Sequence, residues 1–268
     1  MNKKIIQKNI TKLEELDKNI PINLVLSGGG VKSTGHLALL EKIEALGLKI
    51  NAIAGSSGGA LVASLYASGV PTKDILKVFK ETSIFKISFF SISKAGIFDT
   101  LLFRNAIENK IKSKFSELQI PIYITASNMQ EGKIRYFSKG KLLKPILASC
   151  AIPGIFSPIK INNVLYSDGG VLDNFPIKPF EKSDLPLIGS YVSDPPKRTQ
   201  EELNSTLKVV TQATYLMAHS AVSFKFYITD LTIRFPLSNY SGLDTKEAEE
   251  IYKKCKSFLK TKQVKKTN

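Results

Sequence analysis

A short apolar run that ends in glycines and leads into helical spacing occurs twice near the start of the chain. Residues 22–27 (INLVLS) run into Gly28-Gly29-Gly30, and Leu37, Leu40 and Ile43 then recur at helical intervals over 34–46. Residues 49–54 run in turn into Gly55-Ser56-Ser57-Gly58-Gly59, where a further helix starts. Strand, glycine turn and helix repeated in this order predict an α/β fold, with a mainly parallel sheet covered by helices.

The rest of the chain continues the mixed pattern. Asp99 is placed to cap a helix over 100–113, and 121–127 with 133–137 read as strands joined at Glu131-Gly132. A helix over 141–150 stops before Pro153, and 158–167 holds two strands around Asn162-Asn163, a hairpin signal. A buried strand is predicted at 186–192, a long helix over 201–224, a strand at 226–235, and a capping box of Asp244 and Glu247 opening the last helix. At roughly 150 residues per domain, 268 residues suggest one or two domains. With no internal repeat or low-complexity linker, and with SDPPKRTQ at 193–200 reading as a turn, the expectation is one domain over 1–268.

Composition narrows the function classes. Two cysteines (Cys150, Cys255) and two histidines (His36, His219) do not make a disulfide framework or a zinc site. No metal and no cofactor is expected. Apolar runs are too short for a transmembrane helix. The N-terminal 1–20 carries lysines but no uninterrupted apolar stretch; it reads as an amphipathic helix on Ile6, Ile10, Leu13 and Leu16. The expectation is a cytoplasmic protein, or one exported by a route that leaves no such signal. The net charge is +15, and of 38 basic residues only four (Arg104, Arg135, Arg198, Arg234) are arginine. That balance argues against sequence-specific nucleic-acid readout. It is consistent with a solvated lysine-rich surface or with peripheral contact to an anionic membrane. Oligomeric state is not encoded in these features.

Three constellations carry chemistry. Gly55-Ser56-Ser57-Gly58-Gly59 is a G-x-S-x-G pattern between strand and helix; such a turn presents the serine hydroxyl, and the helix N-terminus behind it offers partial positive charge. A plain glycine-rich turn is the alternative. Ser27-Gly28-Gly29-Gly30-Val31-Lys32 frees backbone N–H groups to bind an anion, either a phosphate or the oxyanion of acyl transfer. Neighbouring parallel strands bring this loop beside Ser57, which favours the oxyanion. Ser167-Asp168-Gly169-Gly170 presents a carboxylate with little steric cover, or is simply a turn.

Taken together, SGGGVKSTGHLALLEKIEALGL, AGSSGGALVASLYASG and ASCAIPGIFSPIKINNVLYSDGGVLDNFP resemble the patatin-like phospholipases, in the family's order and over most of 22–177. KAGIFDTLLFRNAIENKI also resembles the family. The resemblance implies a three-layer α/β/α fold related to the α/β hydrolases and a Ser-Asp dyad. Ser57 would be the nucleophile and Asp168 its general base. Gly28, Gly29 and Gly30 would form the oxyanion hole, supported by Lys32, with Gly55, Gly59, Gly169 and Gly170 shaping the motifs. Ser33 stands where the family has glycine. The implied activity is release of fatty acids from membrane phospholipids or other acyl-lipids through an acyl-serine.

Three other readings are weighed against it. A thioesterase or transacylase would use the same acyl-serine. A Ser-His-Asp esterase would combine Ser57 with His219 and Asp168 or Asp194, although only one strand precedes the serine and both His219 and His36 read as structural. A non-enzymatic phosphate- or lipid-binding module would leave Ser57 and Asp168 coincidental. Two segments bear on the membrane: Ile84–Phe98, with Phe85, Phe89, Phe90 and Phe98, reads as core or as a lid, and 252–268 is a tail with seven lysines and no acid.

Overall fold

The computed structural model describes residues 3–81 and 103–260. Ile84–Phe98 and the tail lysines at 262, 265 and 266 lie outside the described residues. Helix α1 (Lys3–Glu14) leads into β1 (Ile22–Leu26), and a 3-10 turn over Gly30–Thr34 precedes α2 (Gly35–Leu46). Then follow β2 (Ile50–Gly55), α3 (Gly58–Ala67) and α4 (Thr72–Glu81). The second half comprises β3 (Ile122–Asn128), β4 (Lys133–Phe137), α5 (Leu143–Ser149), β5 (Ile159–Ile161), β6 (Val164–Asp168), β7 (Leu187–Tyr191), α6 (Thr206–Ser223), β8 (Leu231–Arg234) and α7 (Ala248–Phe258).

The eight strands form one sheet in the order β5-β6-β3-β2-β1-β7-β8, with β4 also paired to β3. The central run β3-β2-β1-β7-β8 is parallel, and β4, β6 and β5 are joined antiparallel at one side. β1 (INLVL) is buried along its whole length, which is why it reads as an unbroken apolar run; both faces of a central parallel strand are covered. Leu24 and Leu26 point to the larger core, shared with Ile10 and Leu13 of α1, Leu37 and Ile43 of α2, Ile75 and Phe79 of α4 and Ile251 of α7. Val25 points to the other face, with Phe175, Phe180, Tyr191 and Val222 of α6. The sheet is therefore flanked by helices on both faces, thickly on one and by α6 with short 3-10 turns on the other. The Asn162-Asn163 turn takes positive φ at both residues (48° and 64°), as a tight hairpin requires.

Four predicted elements differ. The strand predicted at 226–235 is confined to Leu231–Arg234, because Phe224–Tyr227 continues α6 as a 3-10 turn held by the Lys225 ammonium on Asp173. The helix predicted over 201–224 is split: Ser205 accepts from the N–H of Lys208 and caps α6, leaving Glu201–Leu203 a separate turn. The helix predicted over 100–113 is helical in its described part only to residue 107. Asp244 does cap the 3-10 turn Thr245–Glu247 that opens α7, accepting from the Lys246 N–H, but Glu247 does not complete the capping box because it is drawn to the N–H of Ser241.

Candidate active site

The register of β3 explains how two motifs far apart in sequence meet. Ile124 pairs with Gly55 of β2 and, on its other side, with Phe137 of β4. Ala126 pairs with Asp168 of β6 and, on its other side, with Arg135 of β4. Since β4 occupies one edge, β2 and β6 share the opposite edge of β3 and point their C-terminal ends at each other. The chain leaves β2 at Gly55 and reaches Ser57 two residues later, in front of Asp168. Ser57 Oγ donates a hydrogen bond of 2.6 Å to Asp168 Oδ2.

Ser57 sits at φ 51°, ψ −126°, a conformation that L-residues rarely adopt. This sharp turn exposes the side chain to the Asp168 side while α3 starts immediately behind it. The turn depends on Gly59, where a Cβ would lie 2.5 Å from the carbonyl oxygens of Leu26 and Ser27. The Ser57 N–H is held by Ser149 Oγ at 2.9 Å. Ser149 lies inside the ASCAIPG block, but the sequence offers no sign that its hydroxyl anchors Ser57 from α5.

Asp168 is fixed from several sides. Its N–H donates to Ala151 O at 2.9 Å, and its carbonyl accepts from Ser127 Oγ at 2.8 Å. The other carboxylate oxygen accepts from the Gly170 N–H at 2.7 Å. Burial pushes the carboxyl up to about 6, and the bonds from Ser57 and Gly170 hold it from rising further. That value suits a proton acceptor near neutral pH far better than an ordinary aspartate.

The glycine loop lies beside the serine. Gly30 takes φ +57°, and the Val31 N–H is tied to Gly242 O at 2.8 Å, which fixes the loop. Sequence grouped Gly28, Gly29 and Gly30 as equivalent donors, but the Gly28 N–H is engaged by Asn174 O at 3.3 Å. None of the described hydrogen bonds uses the N–H groups of Gly29, Gly30 or Gly58. Lys32 is buried with its ammonium 5.7 Å from the Tyr215 ring centre, and burial brings it down to about 8 against the pull of Asp194 and Glu247. Ser33 is buried in the 3-10 turn against Gly58, and its hydroxyl has no hydrogen-bond partner among the described residues.

The remaining candidates fall elsewhere. His219 bonds through Nδ1 to the Tyr191 hydroxyl at 2.9 Å, with Asp194 Oδ1 at 4.0 Å. No described hydrogen bond joins it to Ser57. His36 bridges Ser190 Oγ at 2.7 Å and Ser27 O at 2.8 Å, and burial pushes it down to about 4, so it is a neutral structural group. Cys150 is buried and its thiol is pushed well up by burial. A pair that the sequence did not single out supports the aspartate loop: Lys225 Nζ meets Asp173 Oδ1 at 2.6 Å and Phe175 O at 3.2 Å. Tyr136 donates to the same Asp173 at 2.7 Å.

A helix-flanked, mainly parallel sheet with a serine at a strand-to-helix turn defines an α/β protein of hydrolase-like architecture. Residues 24–181 match the patatin-like phospholipase family, and the chain belongs to that family. An uncharacterized NTE family protein of Mycobacterium tuberculosis is 32% identical over 161 residues, covering 59% of this chain and 45% of its own. A protein named lysophospholipase NTE1 from Candida glabrata is 25% identical over 271 residues, covering 89% of this chain and 16% of its own. The chain thus spans less than half the length of these curated relatives. Among solved structures, VipD from Legionella pneumophila aligns with TM-score 0.50 and 15% identity over 89% of this chain and 66% of that one, a likeness of fold.

Proposed function

We propose that the chain is a single patatin-like domain that hydrolyses acyl esters of membrane phospholipids, with Ser57 as nucleophile and Asp168 as general base. The observation that carries this reading is the 2.6 Å bond from Ser57 Oγ to a buried Asp168, at a strained turn beside a glycine loop. Asp168 takes the Ser57 proton as Oγ attacks the ester carbonyl. The tetrahedral oxyanion is met by the N–H groups of Gly29 and Gly30, with Gly28 adjoining, each such donor contributing about 3–4 kcal/mol in measured cases. The α3 N-terminus adds its partial positive charge. Collapse expels the lipid alcohol, which receives the proton from Asp168. Asp168 then activates water to cleave the acyl-serine and release the fatty acid.

The relatives named lysophospholipases add monoacyl phospholipids to the candidate substrates in this reading. No helix among the described residues is long and apolar enough to cross a membrane, so the lipid is met by peripheral contact in this reading. The test is lipid-product analysis on mixed phospholipids and lysophospholipids. Free fatty acid and the matching deacylated lipid are expected from the native chain and none from Ser57→Ala. Equal release by both proteins would overturn the proposal.

A further inference from the structure

Helix α6 contains no Lys, Arg, Asp or Glu between Lys208 and Lys225. Its inner side is occupied: Val222 is buried in the core, Tyr215 meets Lys32, and His219 bonds to Tyr191. Its outer side is exposed. Val209, Val210, Ala213, Leu216, Met217, Ala221 and Phe224 recur at three- and four-residue steps, which puts them on one stripe of the helix. Met217 is 72% exposed, and the stripe runs on into Tyr227 at 91% and Ile228 at 56%. Isolated exposed apolar residues are ordinary, but a continuous stripe bounded by polar residues marks an interaction surface.

The position of α6 says what it meets. Its contacts with Tyr191 at the end of β7, and with Lys32 just after β1, place it at the C-terminal ends of the parallel strands, the same end at which β2 delivers Ser57. Lys225, in the 3-10 turn that follows α6, is tied to Asp173 on the loop that follows Asp168, and that loop itself exposes Val171 and Leu172. Exposed Lys208 and Lys197 lie at the other end, and the whole chain carries +15. We propose that the outer face of α6, continued through Phe224, Tyr227 and Ile228, docks the protein on an anionic phospholipid surface, with the helix in the plane of the interface and the catalytic mouth against the lipid. An apolar stripe with exposed Lys208 and Lys197 at one end, where Glu202 is paired with Arg198, on a chain of net charge +15, matches the acyl layer beneath anionic headgroups. The proposal rests on the lipid-hydrolase reading for its choice of partner.

The chain has no tryptophan, so Met217→Trp gives a single reporter on the stripe. In buffer its emission is expected at the wavelength of a water-exposed indole. With vesicles of phosphatidylcholine and phosphatidylglycerol it should shift to the blue and be quenched by brominated acyl chains, and the shift should weaken in high salt. Leu216→Glu with Phe224→Glu should lower vesicle binding and fatty-acid release from vesicles by about tenfold or more, while hydrolysis of a soluble short-chain ester stays within about twofold. Three outcomes would overturn the proposal: no vesicle-dependent shift, blue emission already in buffer because protein covers the stripe, or dissociation of a dimer by the double substitution with vesicle binding unchanged. A native chain that shifts on vesicles yet hydrolyses no ester would instead refute the catalytic reading and leave the docking surface standing.

Discussion

Ser57 Oγ donates to Asp168 Oδ2 at 2.6 Å, although 111 residues separate them. The pairing is set by the backbone: β2 and β6 end against each other on one edge of β3, so the two motifs are fixed by strand register and not by flexible loops. A site held this way tolerates a strained serine, because the surrounding sheet restrains both partners.

If Asp168 is the general base, kcat/KM on a soluble ester should rise with pH and level off above an inflection near 6, the value to which burial pushes its carboxyl. Asp168→Asn should lose about a hundredfold to ten-thousandfold and the inflection with it. His219→Ala, which removes a partner of Tyr191, should keep both rate and profile. An inflection that survives Asp168→Asn would reassign the base.

Stability should carry the opposite signature. Burial raises Asp168 from 3.8 to about 6, so its folded form resists ionisation. Its favourable contribution is complete below pH 3.8 and lost as pH rises through 6. At pH 8 the ionised carboxylate costs about 3 kcal/mol. Asp168→Asn cannot ionise, so its stability relative to the native chain should improve by about that amount between pH 4 and pH 8, read by urea denaturation. A relative stability independent of pH would contradict the desolvated carboxylate.

The Lys225–Asp173 pair is nearly closed to solvent, with side chains 14% and 5% exposed. Removing one partner strands a buried charge, so Lys225→Met should destabilise the chain by about 3 kcal/mol, and adding Asp173→Asn should recover much of that. Because the loop from Asp168 to Phe175 is anchored here, activity should fall with the single change and partly return with the double. Equal stability of the native chain and Lys225→Met would show that the pair anchors nothing.

Gly59→Ala should be damaging for a steric reason. Its Cβ would press on two backbone carbonyls of the first glycine turn, and backbone does not yield cheaply. A loss of about 1–3 kcal/mol is expected, with a larger loss of activity because both turns move together. Unchanged urea midpoint and activity would mean that the two turns are not in close contact.

The features legible in sequence are those that depend on local chemistry. Glycines at 28–30, 55, 58 and 59, and Asp168 ahead of Gly169-Gly170, are required by turns that few other residues can make, so they stand out without any knowledge of contacts. The buried strands show as apolar runs for the same reason. What was not legible depends on partners remote in sequence. Nothing local says that Asn174 engages the Gly28 N–H, that Ser149 holds Ser57, or that Lys225 reaches back to Asp173 and so keeps 226–227 out of the strand expected from 226 onward. The Glu247 half of the capping box at Asp244 failed likewise, because Ser241 offered Glu247 a competing donor, while Asp244 itself caps the turn. The outer face of α6 shows the reverse problem: its apolar spacing resembles that of a core helix, and only the fold reveals which side is covered.

The central claim is that Ser57 is the nucleophile. The most direct measurement is labelling of the folded protein by a fluorophosphonate, followed by peptide mass spectrometry. The account predicts one adduct, on the peptide at Ser57, absent from Ser57→Ala and strongly slowed in Asp168→Asn. An adduct on another serine such as Ser33 or Ser56, or equal labelling of Ser57→Ala, would contradict it.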